Sequence, residues 1–394
     1  LRRRSLAIGL CILLICSIFI PITVGFNVKV SKIEQPSNMC NGNTLYVGGS
    51  GPSNYTRIQD AIDNATGGDT VYVYSGIYYE NIIVDKTINL IGENRETTVI
   101  DGGYTRAEIV DVRVDNIEIC CFTIMNGYPG INLYNSDNHK IYLNNIIDNW
   151  IGLSLTYSNN NQISNNFISS NGYIGIELHF ISSNNTFSYN NILNNGDSGI
   201  WFEACCNNTI SNNIIKSNNQ SGLWFEDYCY NNIIYNNTII LNKNYGGIHG
   251  CNDFSFNTIS FNTFINNRFG IYIMYGFGNP SDNNQIYRNN FIDNTPNAID
   301  ECNNVWDDGK YGNYWSDYKE KYPDARKKLL KPWMWNTPYE IYGGNNTDSC
   351  PLVNQWPDPR PRTITRDTSI NYLFLMRLLD VFPLLKEVIL RLIR

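Results

Sequence analysis

Apolar and polar residues alternate in short bursts through the middle of the chain, and the bursts recur. Each repeat opens with Gly followed by apolar residues at alternate positions: Gly130-Ile131-Asn132-Leu133, Gly152-Leu153-Ser154-Leu155, Gly175-Ile176-Glu177-Leu178, Gly199-Ile200-Trp201-Phe202, Gly222-Leu223-Trp224-Phe225, Gly247-Ile248 and Gly270-Ile271-Tyr272-Ile273. Successive glycines are 22, 23, 24, 23, 25 and 23 residues apart. Two more anchors stand in every repeat. One is Asn shortly before an apolar residue, as in Asn138 before Ile141, Asn161 before Ile163 and Asn185 before Phe187, and on through Asn208, Asn232, Asn257 and Asn284. The other is Asn-Asn or Asn-Thr before Ile or Phe, from Asn144-Asn145-Ile146 to Asn289-Asn290-Phe291. Each repeat therefore holds three apolar segments of strand length. Each segment is closed by a residue type that tolerates a left-handed backbone. This pattern predicts three short strands and three bends per coil, with Asn stacked over Asn between coils. A helical solenoid takes about 33 or more residues per unit, and neither that length nor helical spacing is present. The fold class predicted is all-β: a right-handed parallel β-helix with three short strands per coil. About ten coils between Thr70 and Val305, stacked about 4.8 Å apart, would give a rod roughly 50 Å long.

The ends read differently from the repeats. Arg2, Arg3 and Arg4 precede an uncharged apolar run from Leu6 to Ile20, which marks residues 1–25 as a signal peptide or an N-terminal membrane anchor. Residues 26–43 form a polar leader, and the β-helix with its N-terminal cap is expected over 44–305. Within that cap, Thr56 and Gln59 read as a capping box opening a short helix, with Ile58, Ala61, Ile62 and Ala65 on one face and Gly67-Gly68 ending it. Such a helix would plug the first coil. Residues 306–356 are expected to cap the other end, followed by a linker over 357–371. An amphipathic helix over 372–394 would follow, with Leu375, Leu378, Leu379 and Phe382 on one face. Its six charges argue against a membrane span and for contact with a membrane surface or a partner.

Charge narrows the function classes. Charged residues make up 16% of the chain and the net charge is −7, with no basic stripe in the repeats, so nucleic acid is not an expected partner. Of 11 cysteines, nine lie beyond residue 25. Cys206 and Cys229 both sit seven residues after their Gly, so stacked coils would bring them within disulfide reach or leave them as buried thiols. Asn-x-Ser/Thr sequons occur at Asn54, Asn64, Asn184, Asn207, Asn219, Asn236 and Asn345.

The segments Tyr55-Thr56-Arg57-Ile58-Gln59-Asp60-Ala61-Ile62, Gly68-Asp69-Thr70-Val71-Tyr72-Val73 and Gly76-Ile77-Tyr78-Tyr79-Glu80 resemble the opening of exported β-helix proteins of the pectin-lyase-like group. More narrowly, they resemble the NosD-like branch. Trp306-Asp307, Gly312-Asn313-Tyr314-Trp315-Ser316-Asp317-Tyr318 and Thr337-Pro338-Tyr339-Glu340-Ile341 agree with its closing segment, so the likeness covers about residues 44–356. Relatives often carry an Asp-rich, calcium-like loop between those last two stretches. Here the interval Lys319–Asn336 is basic and aromatic instead, with Lys327, Lys328, Lys331, Trp333 and Trp335. The branch takes its name from a protein associated with copper-site maturation, so the resemblance implies copper. Soft ligands suit Cu(I), and His249, Cys251, Met274 and Cys302 are the one group the pattern would place on neighbouring outer positions. No motif with metal-ligand spacing occurs, and the sequence assigns no cofactor.

Alternation assigns faces. If residues one and three after each Gly point inward, those two after it form an outer column: Asn132, Ser154, Glu177, Trp201, Trp224, His249, Tyr272. Those four after it form another: Tyr134, Thr156, His179, Glu203, Glu226, Cys251, Met274. Trp201, Trp224 and Tyr272, with His249 and Tyr134, would make an exposed aromatic strip suited to the flat faces of sugars. Glu203 and Glu226, with Glu177 and His179, are the candidate catalytic groups of a glycoside hydrolase or polysaccharide lyase. Neighbouring Glu203 and Glu226 should repel and raise one pKa, and one rung of separation is near that of a retaining glycosidase pair. Lyases and galacturonan hydrolases of this fold use clustered Asp, or Lys and Arg with calcium. The pattern shows no Asp pair in adjacent coils and no Arg or Lys on this face. The readings that remain are an exported envelope protein binding polysaccharide through this face, a cleaving enzyme, a structural or adhesive surface rod, and a copper-handling protein.

Overall fold

The structure is a computed structural model that describes residues 42–276 and 279–356. The targeting segment, nearly all of the leader, the linker and the 372–394 helix lie outside the described residues. The repeats form three parallel sheets of 11, 11 and 10 strands. Sheet 1 runs from Thr44–Val47 to Gln285–Tyr287, sheet 2 from Gly76–Tyr78 to Tyr314–Trp315, and sheet 3 from Ile82–Val84 to Ala298–Asp300. Every strand pairs with its equivalent one coil later, as in Ile141↔Ile163, Ile146↔Ile168 and Leu153↔Ile176. The β-helix is thus about 11 coils long. It has one coil more than expected between Thr70 and Val305, because Thr44–Val47 already pairs with Thr70–Val73 ahead of that span.

Most strands of sheets 1 and 2 are three residues long and bury only the middle one, so Ile and Phe stack into columns such as Ile163, Phe187, Ile210 and Ile234. Most sheet 3 strands turn two residues inward, for example Ile176 and Leu178. Each fully buried aliphatic side chain adds about 1.5–3 kcal/mol. In one coil Gly250 takes the place of an inward apolar residue. Phe254 fills the space, its ring 4.7 Å from that of Phe225 and its Cδ1 2.4 Å from where a Cβ on Gly250 would stand.

The repeat glycines are needed for closeness rather than for a left-handed backbone. None of the seven has a positive φ; the bends instead use Asn and even Leu143, Tyr157 and Phe180 in that conformation. A Cβ on Gly199 would lie 2.6 Å from the Gly222 carbonyl oxygen and 2.9 Å from Asn218 Nδ2. The coils approach too closely there for any side chain.

Three buried asparagine ladders run along the corners. The first passes from His139 through Asn161, Asn185, Asn208, Asn232, Asn257 and Asn284 to Asn304. His139, rather than Asn138, opens it: Asn138 is one residue too early and makes a left-handed turn. The second ladder runs from Asn144 to Asn313. The third runs from Asn149 to Asn297, its rungs up to Asn267 standing three to five residues before each repeat glycine. The bonding has one direction. Asn190 donates from its backbone N–H (2.9 Å) and its Nδ2 (3.1 Å) to Oδ1 of Asn213, while Asn213 Nδ2 reaches back to the Phe187 carbonyl at 2.9 Å. These amides satisfy the backbone groups that the bends would otherwise orphan.

The corner from sheet 3 to sheet 1, which carries the first ladder, also holds Cys205, Cys229 and Cys302. Ser136, Ser158, Ser182, Cys205, Cys229, Ser281 and Cys302 occupy equivalent buried positions, and all but Ser136 bond backbone through the hydroxyl or thiol; Ser158 N–H donates to Ser182 Oγ at 3.1 Å, and Cys205 Sγ to the Glu203 carbonyl at 3.1 Å. Cys206 and Cys229 do not stack. One extra residue in the later bend shifts the register, so Cys205 takes the place beneath Cys229 and Cys206 Sγ donates to Tyr228 O at 3.3 Å.

The N-terminal helix covers Ile58–Asn64 and plugs the first coil with Ile58, Ala61 and Ile62. It has no capping box: Arg57 is the N-cap, and no side chain of the helix's own start caps it. The Glu80 carboxylate accepts from the Ile58 and Gln59 N–H groups (2.8 and 3.1 Å), and Lys86 Nζ donates to the Ile62 and Asp63 carbonyls at the other end. Gln59 is spent on strand pairing instead, bonding the N–H and carbonyl of Ile83. Opposite charges thus complement both helix ends from a later coil. At the far end the inner ring stack Phe264, Phe291, Trp315, Tyr339 continues the core into the cap with centroids 5.0, 4.4 and 4.1 Å apart.

Each ladder ends on a carboxylate. Asp348 Oδ2 accepts from Asn313 N–H (2.7 Å) and Trp315 Nε1 (2.9 Å), Asp300 from Asn304 Nδ2 (2.9 Å), and Asp317 from Asn297 Nδ2 (2.8 Å). Burial pushes Asp348 up to about 7 and Asp300 up to about 6, against the N–H donors that pull both down.

Candidate functional site

The outward columns of sheet 3 are in the register that alternation implies. Asn132, Ser154, Glu177, Trp201, Trp224, His249 and Tyr272 pair in sequence along the rod. Beside them Tyr134 pairs with Thr156, Thr156 with His179, and Glu203 with Glu226. The strip is less open than expected. Trp201, Trp224 and Tyr272 are half-buried, and His249 is only 2% exposed. The rings pack on one another, with centroids of His179, Trp201, Trp224, His249 and Tyr272 5.1, 6.3, 5.3 and 5.2 Å apart. Tyr245 covers His249 from the corner at 4.7 Å.

Two aromatic rims flank this floor, and of their rings the sequence pattern names only Tyr134. On the corner entering sheet 3, Tyr128, Trp150 and Tyr173 stack with centroids 6.1 and 5.6 Å apart. The column continues through Asp197, Gln220 and Tyr245. On the corner leaving it, Tyr157 stacks on Phe180 at 5.5 Å, with Tyr134 edge-on to Tyr157 at 6.3 Å. The entry rim has a signal in the sequence: it stands two residues before each Gly. The polar interruption at Asp197 and Gln220 belongs to the coils of Trp201 and Trp224.

The acidic groups divide into two kinds. His179 bridges two carboxylates, with Nδ1 2.5 Å from Glu203 and Nε2 3.3 Å from Glu177, and Ser154 Oγ donates to Glu177 at 2.8 Å. Burial opposes the imidazolium, but Glu177 and Glu203 outweigh it and raise the His179 pKa. Glu226 has no such partner. Burial, then Asp227 and Glu203, push its carboxyl up, and burial does the same to Asp197. Glu203 and Glu226 stand side by side on one sheet, so they do not oppose each other across a bound sugar ring as acid and nucleophile must.

Five of the ten buried polar side-chain atoms that lack a hydrogen bond among the described residues belong to Trp201, Gln220, Ser221, Trp224 and His249. The Trp201 indole N–H is close enough to Glu226 to lower its pKa, and that of Trp224 to Cys251, without the geometry of a true hydrogen bond. Burial also holds His249 neutral, down to about 4.

The face begins two coils before the first Gly, with Ile83 below Asp111. Asp111 and Arg113 stand next to Asn132 and Tyr134, so an Arg is present on it after all. Arg113 is paired with Asp111 at 2.7 Å, and Asn132 Nδ2 bonds the same carboxylate at 3.1 Å. With Tyr134 and Asn135 they line a shallow depression of about 370 Å³. An Asp pair in adjacent coils also exists. Asp137 N–H donates to Asp115 Oδ1 at 2.8 Å, and Asp137 in turn caps Asn159, so both carboxylates close bends of the corner.

The soft donors proposed for a metal do not converge. Cys302 Sγ accepts from Ser281 N–H in its own corner, Cys251 Sγ is directed to the Phe225 carbonyl, and His249 is enclosed by rings. Among the described residues no three His, Cys, Asp or Glu side chains are grouped as a metal site requires.

Comparison with known proteins agrees with the fold. Residues 62–246 and 238–320 match the family model described as periplasmic copper-binding protein (NosD). A cell surface glycoprotein of Methanothermus fervidus is 30% identical over 318 residues, covering 67% of this chain and 51% of that protein. The chain thus spans about half the length of the curated relative it matches. Among solved structures, DFA-IIIase from Arthrobacter chlorophenolicus A6 superposes with a TM-score of 0.54 at 14% identity, over 70% of this chain and 86% of that one. Pectate lyase Pel9A gives 0.51 at 16% identity, over 69% and 82%. At these identities the likeness is one of fold. The copper in the family's description finds no matching donor set in the described residues. On its repeats, its three-sheet solenoid and the family match, the chain belongs to the NosD family of right-handed parallel β-helix proteins.

Proposed function

We propose that the protein is a cell-surface rod that holds polysaccharide in the groove of sheet 3. The relative's name, a cell surface glycoprotein, and the family's description as periplasmic support a place outside the cytoplasm. The observation that carries the binding reading is the half-buried ring floor of Trp201, Trp224 and Tyr272, set beside carboxylates and flanked by two aromatic rims. Trp201 and Trp224 offer apolar ring faces, while their indole N–H groups, Gln220 Oε1 and His249 Nδ1 lack sound partners. A sugar presents an apolar face that stacks on such rings and hydroxyls from which the half-exposed carboxylates of Glu203 and Glu226 can accept.

The groove's charge sets the class of ligand. Glu177, Glu203, Glu226 and Asp197 line it, and no Lys or Arg stands on the outward positions from Ser154 to Tyr272. Neutral or amino sugars fit this wall, and uronates do not. Binding is favoured over cleavage because His179 is held between two carboxylates and Glu203 and Glu226 share one side of the groove.

The test is glycan-array binding by the full chain, beside Trp201→Ala/Trp224→Ala and, on the rim, Tyr128→Ala/Trp150→Ala. Tyr128 and Trp150 are each 46% exposed, so the rim variant keeps the fold intact. Binding of neutral or amino glycans that both variants lose is the expected result. An intact protein that binds no glycan, or binds equally well in both variants, overturns the proposal and leaves a structural rod.

A further inference from the structure

Among the large hydrophobic residues described, Leu329 and Leu330 are the most exposed, at 96% and 88%. They are adjacent, at the tip of a hairpin. Lys327 bridges Trp335 in antiparallel fashion, Lys328 N–H donates to Met334 O at 2.9 Å, and Met334 N–H donates to Lys331 O at 2.9 Å. Beneath the tip Met334 is fully buried against Cys350 and Leu352, and Val353 N–H bonds Trp333 O at 3.0 Å. The leucines are therefore held out by an ordered base.

Their surroundings single out one kind of partner. From Ala325 to Tyr339 the chain has Arg326, Lys327, Lys328 and Lys331 and no carboxylate, although the whole protein carries −7. Lys328 bonds the Ser349 carbonyl at 3.1 Å, while Lys327 and Lys331 are exposed beside the leucines. Trp333, 41% exposed, completes the tip. Apolar residues that enter the acyl boundary, a ring at headgroup level and lysines at the phosphate plane are the elements of interfacial binding. Further along the sequence stands a second apolar and basic stretch, Tyr372–Arg394.

We infer that the Lys327–Trp333 hairpin docks the cap end of the rod on an anionic lipid surface, with Leu329 and Leu330 inserted. The inference is independent of the sugar groove. The full chain would be mixed with phosphatidylglycerol or phosphatidylcholine vesicles, and amide hydrogen exchange read at residues 327–333. Slowed exchange with phosphatidylglycerol alone, abolished in Leu329→Ser/Leu330→Ser, is expected. Lys327→Glu/Lys331→Glu should weaken partition at least about tenfold, in keeping with the attraction of basic residues to such surfaces. Because all four positions are exposed, unchanged thermal melting verifies that the variants are folded. Unaltered exchange at 327–333 overturns the inference even if the chain floats with the vesicles, since another segment then holds it. Equal protection on phosphatidylcholine, or protection that survives the leucine replacements, overturns it as well.

Discussion

The middle rungs of the asparagine ladders and the outer face of the same coils treat polar groups in opposite ways. At Asn213 the side chain accepts twice from Asn190 and donates to Phe187 and Asn237, so nothing buried there is left over. A few residues away, Trp224 Nε1, Gln220 Oε1 and His249 Nδ1 are buried without sound partners. Both regions have the same backbone spacing and parallel pairing. The middle rungs close their bonds on one another and hold the rod together, whereas the first rungs, with His139 Nε2 and Asn161 Nδ2 unpaired, and the outer face leave polar atoms over.

Breaking the corner should have the largest effect. Asn213→Ala leaves the Asn190 N–H buried without its acceptor and takes one bond each from Asn190 Nδ2 and the Phe187 carbonyl, and should cost about 3–5 kcal/mol by denaturant unfolding. A loss below about 1 kcal/mol would mean that the ladder is not a main source of stability. On the face, the sharpest probe is His249. Burial depresses its folded pKa to about 4, below an unfolded value of about 6.5. The unfolded chain therefore takes up a proton first as pH falls. Relative to His249→Phe, the wild type should be fully stable above about pH 6.5 and lose up to about 3 kcal/mol between there and pH 4. Parallel melting curves of the two proteins across that range would contradict the burial.

A smaller effect tests the coil spacing. Gly199→Ala pushes a Cβ against the Gly222 carbonyl and Asn218 and should cost about 2–3 kcal/mol, also by denaturant unfolding. The smallest change is expected for Trp224→Phe, which keeps a ring and deletes an N–H that has no sound bond. Stability should move by less than about 1 kcal/mol in either direction, while sugar binding weakens in calorimetry. A large destabilisation would show that the indole N–H is structural and remove the contrast between face and corner.

What was legible followed from period. The 22- to 25-residue Gly spacing placed every floor residue, because a strand's alternation cannot slip without exposing its buried column. The rims were not legible from the same rule. Tyr128, Trp150 and Tyr173 sit in bends, where alternation assigns no face, and their stacking depends on how each bend turns. The role of Gly was misread for a similar reason: closeness between coils is a property of the stack, and a single repeat carries no trace of it. Glu80 capping a helix 22 residues earlier was hidden because local signals favoured Thr56 and Gln59. His179 drawing in both Glu177 and Glu203 depends on side-chain reach, which register alone does not give.

The asparagine ladders are polar wires: each rung hands its N–H forward and offers its oxygen backward, until Asp348, Asp300 and Asp317 receive the last donors. Interior rungs are therefore interchangeable parts, while the terminal carboxylates are not. A gene that duplicates or deletes one whole repeat changes the reach of the rod by a single rung, about 4.8 Å, and leaves both closures intact. Length can drift across descendants in such increments, but a chain cut within the repeats would end on amides with no acceptor.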